Sequence, residues 1–165
     1  ACGYRVGWAV FSGERRNAQD YLNAVELLSA LRLCSNVPAQ WAVQTALGGY
    51  QSIHELIEGD GRLALSRQAV INAVAESEFL TLVKPNGAIY AFPGVNEGLI
   101  PNFDDHRFAM DLLEQHHVLL VPGSSFNVPY RNHFRITFLP RQRQICEVFR
   151  RMDVLLRSYA QNRTA

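Results

Sequence analysis

The sequence predicts an α/β domain of the α+β-like kind, in which long N-terminal helices precede a small mixed sheet that further helices cover. Apolar residues recur at helical spacing in the first half of the chain, whereas short apolar segments bounded by turn residues dominate the second half. Hydrophobic residues form 48% of the sequence and charged residues 19%, as is usual for a globular domain. A chain of 165 residues is long enough to bury one hydrophobic core.

The N-terminal segment 4–11 is predicted to be a β-strand. Tyr4, Val6, Trp8 and Val10 alternate with intervening residues that include Arg5, a spacing of two that is typical of a strand. A domain seldom begins with a strand that looks buried and carries an arginine. We therefore expect the chain to be the second part of a larger protein.

Four helices are predicted in the first half of the chain. Pro38, the pair Gly48-Gly49 and the run Gly59-Asp60-Gly61 interrupt the helical spacing of the apolar residues and separate these helices. The predicted helices cover residues 14–33, 39–47, 53–58 and 62–75.

The second half is predicted to contain four short strands and two helices. A turn at residues 84–87 joins the first two strands, and Asp104 or Asp105 can cap the first helix, which ends near Gln115. The predicted strands cover residues 80–83, 88–92, 118–121 and 134–139, and the last helix covers residues 142–159.

The last predicted strand has two different faces. Phe134, Ile136 and Phe138 share one face, and Arg135 lies on the other, between His133 and Thr137. The apolar face is predicted to join the core, so Arg135 is predicted to point to solvent or to a cleft. A solvated arginine on an edge strand would show the same pattern.

Composition makes several classes of function improbable. A formal net charge of +1 gives no reason to expect nucleic acid as a partner. No apolar run approaches the ~20 residues that a membrane span needs. Cys2, Cys34 and Cys146 are far apart, and the five histidines show no zinc-ligand spacing. We therefore expect a cytoplasmic protein without a metal site.

Three segments, taken together and in this order, resemble the pyridoxal-phosphate-dependent aminotransferases of the aspartate/alanine class, which have fold type I. They are Gly3-Tyr4-Arg5-Val6-Gly7-Trp8, the segment from Lys84 to Pro93 (KPNGAIYAFP), and Phe134-Arg135-Ile136-Thr137-Phe138. Two further segments, RLCSNVPAQ at 32–40 and QTALGGYQSI at 44–53, are similar to the bacterial alanine-type (glutamate–pyruvate) members of that family.

This resemblance implies a fold, a reaction and a mode of assembly. Residues 1–13 would be a strand of a large cofactor domain, and residues 14–165 would be the small C-terminal domain of the enzyme. The cofactor would be pyridoxal 5'-phosphate, and the substrates would be an amino acid and a 2-oxo acid. The expected reaction converts L-alanine and 2-oxoglutarate to pyruvate and L-glutamate in a homodimer.

The resemblance also implies roles for individual residues. Arg5 would bind the cofactor phosphate, because a guanidinium meets phosphate oxygens with two hydrogen bonds. Arg135 would bind the substrate carboxylate in the same manner. Tyr90 and the loop with Ser124 and Phe126 would line the substrate entrance, although Tyr90 is equally compatible with a place in the core.

The cofactor-binding lysine is the group that this chain does not supply. The resemblance puts this lysine before Ala1, and Lys84, which is the only lysine of the chain, lies in a predicted turn. We therefore expect the isolated chain to be inactive, with no catalytic residue of its own. The alternative interpretation is a stand-alone, non-enzymatic α/β module that binds an amino acid or a protein partner.

Overall fold

The computed structural model of this chain describes residues 2–161. The chain divides into two compact units, which are residues 1–52 (unit 1) and 53–165 (unit 2). This division does not coincide with the boundary expected after residue 13. The assignment of residues 1–13 to a cofactor domain stays a prediction.

Unit 1 is helical in its described part. Asn36 caps the second helix, because its side chain accepts a hydrogen bond from the backbone N–H of Ala39. Pro38 lies inside the first turn of this helix, where a missing N–H costs nothing, so the predicted start at residue 39 was slightly late. The elements are 3-10 turns at Cys2–Tyr4 and Arg15–Ala18, helix α1 at Gln19–Arg32 and helix α2 at Val37–Gly48.

The predicted strand over residues 4–11 is wrong. Arg5 has a φ of 53°, in the left-handed region, and residues 5–12 form no regular secondary structure. A strand needs extended dihedral angles and a neighbouring strand for its backbone hydrogen bonds. The described residues of unit 1 include no strand that could pair with this segment.

Unit 2 contains the sheets and four further helices. The helices agree with the predicted ones to within about two residues at each end, as is usual for helix boundaries. Their bounds are α3 at Ile53–Ile57, α4 at Arg62–Glu76, α5 at Asp105–His116 and α6 at Gln142–Gln161. The strands are β1 at Leu80–Thr81, β2 at Tyr90–Ala91, β3 at Gly94–Val95, β4 at Val121–Pro122 and β5 at Phe134–Thr137.

The strands of unit 2 form two small antiparallel sheets, with the orders β1-β3 and β2-β5-β4. The predicted sheet was mixed, and every named strand pair in the described residues is instead antiparallel. The connection from β4 to β5 covers residues 123–133 and is shorter than the crossover of about a dozen or more residues that parallel strands need. The turn at 84–87 also does not join paired strands, since β1 pairs with β3 and β2 with β5.

One hydrophobic core holds unit 2 together. The apolar sides of α4, α5 and α6 pack against each other and against the strands. Along α6 the buried side chains recur at helical spacing, which explains why the sequence pattern predicted this helix well. The fully buried large apolar residues are Phe108, Leu112, Phe134, Phe138, Met152 and Leu156.

Candidate functional site

Strand β5 presents two faces, as predicted. Phe134 and Phe138 are buried in the core at 0% and 2% exposure, and Ile136 packs against it. Arg135 is half-buried on the opposite face, and its backbone pairs with Val121 of β4. Phe134 and Ile136, the residues on either side of Arg135, therefore anchor the strand in the core, and the side chain of Arg135 points away from it.

The guanidinium of Arg135 lies between two aromatic rings. Its Cζ atom is 4.5 Å from the ring centroid of Tyr90 and 4.7 Å from that of Phe126. Cation–π contacts of this kind hold a cation in place without neutralising it. No carboxylate within residues 2–161 forms an ion pair with Arg135, and its side chain donates no hydrogen bond to those residues. The five N–H donors of this group can therefore bind an anionic ligand.

Tyr90 belongs to this site and not to the core. Its side chain is 43% exposed, and its backbone pairs with Thr137 at the end of β5. The sequence left a core position open for this residue, and the exposure excludes it. Because Tyr90 and Phe126 contact the same guanidinium, the predicted strand 88–92 and the loop with Ser124 and Phe126 meet at Arg135.

Further aromatic residues extend this site, and we call Phe92, Phe126, Tyr130 and His133 the aromatic cluster. Phe92 stacks on His133 with ring centroids 5.3 Å apart, and Tyr130 lies 4.4 Å from His133. Phe92 also meets the edge of Phe126 at 6.0 Å. The sequence pattern predicts no role for Phe92, Tyr130 or His133. Phe92 lies two positions after Tyr90, and His133 lies two positions before Arg135. In an extended segment, residues two positions apart share a face, so this spacing could have identified both residues.

Burial lowers the pKa of His133 below its ordinary value of 6.5, and the negative charge of Glu97 opposes part of this effect. The folded protein therefore holds the imidazole neutral over a pH range in which the unfolded chain is already protonated. Because the pKa of His133 is lower in the folded state than in the unfolded state, this residue contributes to stability above pH 6.5. That contribution is lost as the pH falls through the pKa of the folded state.

We expect replacement of His133 by glutamine to reduce the loss of stability on acidification. The measurement is the free energy of unfolding in urea on both sides of pH 6.5. The readout is the difference between the two pH values, because the substitution also removes ring contacts and changes stability at every pH. His106→Gln, at an exposed position on α5, is the matched control. An unchanged pH dependence in H133Q would contradict this account of His133.

The 3-10 turn Gly123–Phe126 carries Phe126 to the site. Its first N–H, from Gly123, donates to the carbonyl of His133 at 2.9 Å, and the N–H of Ser124 donates to Oδ2 of Asp105 at 2.6 Å. A Cβ atom on residue 123 would come within 2.5 Å of the His133 carbonyl oxygen, so only glycine permits this approach. The turn is thus fixed to His133, the residue before β5, and to Asp105 of α5.

Arg5 lies in unit 1, and Arg135, Tyr90 and Phe126 lie in unit 2. The side chain of Arg5 is exposed, and the carbonyl of the preceding residue, Tyr4, accepts a hydrogen bond from the Asn36 side chain at 3.0 Å. A non-glycine residue with a positive φ is strained, and such residues occur frequently at functional sites.

The donor chemistry present suits one end of pyridoxal phosphate. The guanidinium of Arg5 fits the phosphate, whereas the aldehyde end needs a lysine, and no lysine occurs in residues 1–52. Lys84 is exposed beside Pro85 in the turn between β1 and β2. Within residues 2–161, no group of three or more His, Cys, Asp or Glu side chains could hold a metal ion. No helix in this range is long and apolar enough to span a membrane.

A profile of the family described as aminotransferase class I and II matches residues 1–151. The chain belongs to this family. Glutamate-pyruvate aminotransferase AlaA of Escherichia coli (strain K12) is 45% identical over 139 residues, which cover 84% of this chain and 34% of that protein. Alanine aminotransferase of Mycobacterium tuberculosis (strain ATCC 25618 / H37Rv) is 38% identical over 159 residues, which cover 96% of this chain and 37% of that protein.

Solved structures give the same result. The crystal structure of an aminotransferase from Escherichia coli superposes with a TM-score of 0.86 at 42% identity, over 96% of this chain and 39% of that one. Alanine aminotransferase from Pyrococcus furiosus gives a TM-score of 0.70 at 32% identity, over 82% of this chain and 34% of that one. The predicted fold class, part of a fold type I aminotransferase, is confirmed. The chain spans between a third and two fifths of the length of these relatives.

Proposed function

We propose that this chain is the C-terminal part of a pyridoxal-phosphate-dependent aminotransferase that converts L-alanine and 2-oxoglutarate to pyruvate and L-glutamate. The observation that carries the proposal is the guanidinium of Arg135, held between Tyr90 and Phe126 with no carboxylate partner in the described residues. Both amino-acid and 2-oxo-acid substrates carry the carboxylate that such a group binds. Relatives named glutamate-pyruvate aminotransferase and alanine aminotransferase support the choice of these substrates.

The role of Arg135 is to bind and orient the substrate. Its planar fork can donate two parallel hydrogen bonds to the α-carboxylate, which fixes the direction of the bonds at Cα. Tyr90 and Phe126 restrict the guanidinium to one orientation before the substrate arrives, so that less entropy is lost on binding. The exposed edge of Tyr90 then borders the bound substrate.

The role of Arg5 is to bind the phosphate of pyridoxal phosphate with its charged fork. When bound, this cofactor supplies the electron-withdrawing ring that stabilises negative charge at the substrate Cα. The lysine and the acidic residue that the cofactor ring requires would come from residues outside this chain. We therefore propose that residues 1–165 alone bind substrate weakly and do not catalyse transamination.

Exposed apolar residues of unit 1 support the proposal that further protein covers this unit. Ala39 is the one buried apolar side chain among its described residues. Contiguous exposed apolar surface is typical of a surface that contacts another chain or domain. We propose that these residues face the preceding domain and a second subunit of a homodimer in the cytoplasm. The exposed apolar residues of α1 and α2 include Leu28, Leu31, Val37, Trp41 and Leu47.

The test is an assay of the full-length protein, meaning the complete gene product that contains residues 1–165. Purified full-length protein is supplied with pyridoxal phosphate, L-alanine and 2-oxoglutarate, and pyruvate formation is followed through lactate dehydrogenase. We expect pyruvate with the full-length protein and none with the isolated chain. Absence of pyruvate from alanine, and of L-glutamate from every other amino acid tried as donor, would contradict the proposal and favour a non-enzymatic binding module.

A further inference from the structure

Asp105 is a fully buried carboxylate beside the candidate site. It is the first residue of α5, where the helix dipole favours a negative charge, and its exposure is 0%. Asp104 caps this helix instead, because its side chain accepts the N–H of Arg107 at 2.9 Å. The capping role that the sequence predicts for either aspartate therefore belongs to Asp104, and the burial of Asp105 needs another explanation.

The hydrogen bonding of Asp105 does not favour a purely stabilising role. Oδ2 accepts the N–H of Ser124, but Oδ1 has no partner among the described residues. The Oγ atom of Ser124 is also buried without one. A buried carboxylate needs several donors to offset its lost hydration. An incompletely satisfied buried carboxylate calls for an explanation, and the one hydrogen bond that Oδ2 does accept indicates where to look for it.

The hydrogen bond from the Ser124 N–H to Asp105 connects this carboxylate to Arg135 through the turn that carries Phe126. Ser124 is the second residue of the 3-10 turn Gly123–Phe126, and Phe126 at the end of this turn lies against the guanidinium. The N–H of Asn127 donates to the carbonyl of Ser124 at 3.3 Å, which closes the turn. The position of the Phe126 ring therefore depends on where Ser124 is held.

We propose that Asp105 is a positioning residue for Arg135. Its carboxylate fixes the Ser124 N–H, the turn then holds Phe126 against the guanidinium, and Arg135 keeps one orientation toward a carboxylate ligand. The consequence for catalysis rests on the proposed function, whereas the structural chain from Asp105 to Arg135 does not. A purely local structural role would not transmit any change to the Arg135 side chain.

The first experiment uses proton NMR of the 165-residue chain and needs no enzymatic activity. Protons of the Arg135 side chain lie over two rings, so their resonances are shifted upfield of those of an exposed arginine. We expect Asp105→Ala to move them toward the exposed-arginine position, and Asp105→Asn, which keeps an acceptor oxygen, to move them less. Phe126→Leu should produce the larger movement, because it removes one ring outright.

Asp111→Ala is the matched control. Asp111 lies on the same helix, but its carboxylate accepts a hydrogen bond from Tyr159 of α6 and not from the turn. Arg135 resonances that stay in place in folded D105A, or that move equally in D111A, would overturn the proposal. If D105A does not fold, Asp105→Leu, which fills a similar volume but offers no acceptor to the Ser124 N–H, decides by the same criterion, and an unmoved Arg135 there overturns the proposal as well.

The second experiment measures the consequence in the full-length protein. We expect D105A to raise KM for L-alanine about tenfold, which corresponds to about 1.4 kcal/mol, with little change in kcat. In the R135K background the same substitution should have a much smaller effect, because the two residues act in series. Additive effects would overturn the proposal. A full-length protein without activity would instead contradict the proposed function and leave the NMR result to decide on Asp105.

Discussion

Replacing Arg135 by alanine in the full-length protein is expected to lower kcat/KM for L-alanine by about 10²-fold or more. Truncating one partner of a close charge pair costs about 2–5 kcal/mol, and each 1.4 kcal/mol is tenfold. Arg135→Lys keeps the positive charge but loses the fork that binds both carboxylate oxygens, so we expect a smaller loss of about tenfold. The measurement is steady-state kinetics with each substrate varied in turn.

The loss in R135A should affect both half-reactions, because alanine and 2-oxoglutarate present the same carboxylate to this group. Arg143→Ala is the matched control, since Arg143 is an exposed arginine of α6 that is not part of the sheet. It should leave kcat/KM within about twofold, as expected for a surface position. An R135A protein with unchanged kinetics would show that the substrate carboxylate is bound elsewhere.

The largest effect on stability is expected for Phe108→Ala. Phe108 is fully buried, and its ring lies 5.2 Å from Phe103, 5.3 Å from Phe134 and 6.3 Å from Tyr159. Removing a buried phenylalanine ring costs about 3–5 kcal/mol, because apolar burial is lost and a cavity remains. Many domains are stable by only about 5–15 kcal/mol, so this variant of the chain is expected to be partly unfolded or close to it.

Urea unfolding followed by far-ultraviolet circular dichroism measures this effect. Both tryptophans, Trp8 and Trp41, lie in unit 1, so tryptophan fluorescence would not report on the core of unit 2. Met110→Ala, at a 53% exposed position of the same helix, should change the free energy of unfolding by less than about 0.5 kcal/mol. Equal losses in the two variants would mean that Phe108 is not central to the core.

Helices α4, α5 and α6 of unit 2 could be predicted from sequence because each has one apolar side that is buried. In α5 and α6 the buried residues recur at helical spacing, and Asp104 marks the start of α5. Helix α1 was also predicted, but none of its residues is buried within the described structure. A periodic pattern shows that a helix has an apolar side, but it does not identify what covers that side.

The strands were harder to predict, because pairing depends on residues far apart in the chain. The segments near residues 80 and 90 were expected to form one hairpin, yet their partners are Gly94–Val95 and Phe134–Thr137. Local alternation of side chains does not determine the partner of a strand, and two-residue strands carry little pattern. The left-handed conformation of Arg5 is likewise invisible in a residue pattern that alternates like a strand.

The candidate site was predicted in part. Alternation along the last strand placed Arg135 outside the core, and the resemblance to aminotransferases suggested its ligand. The ring contacts of Arg135 join residues about 10 and 45 positions away in sequence, so only the folded chain brings them together. Asp105 could be recognised from sequence as a capping residue at most, because its burial and its bond to Ser124 depend on tertiary packing.

The most direct test of the central claim compares two ligands in the full-length protein supplied with pyridoxal phosphate. L-Alanine carries the α-carboxylate, and ethylamine is the same molecule without it. The account predicts that R135A weakens binding of alanine by about 10²-fold and leaves the binding of ethylamine unchanged. Equal weakening of both ligands, or of neither, would contradict the assignment of Arg135 as the carboxylate-binding residue.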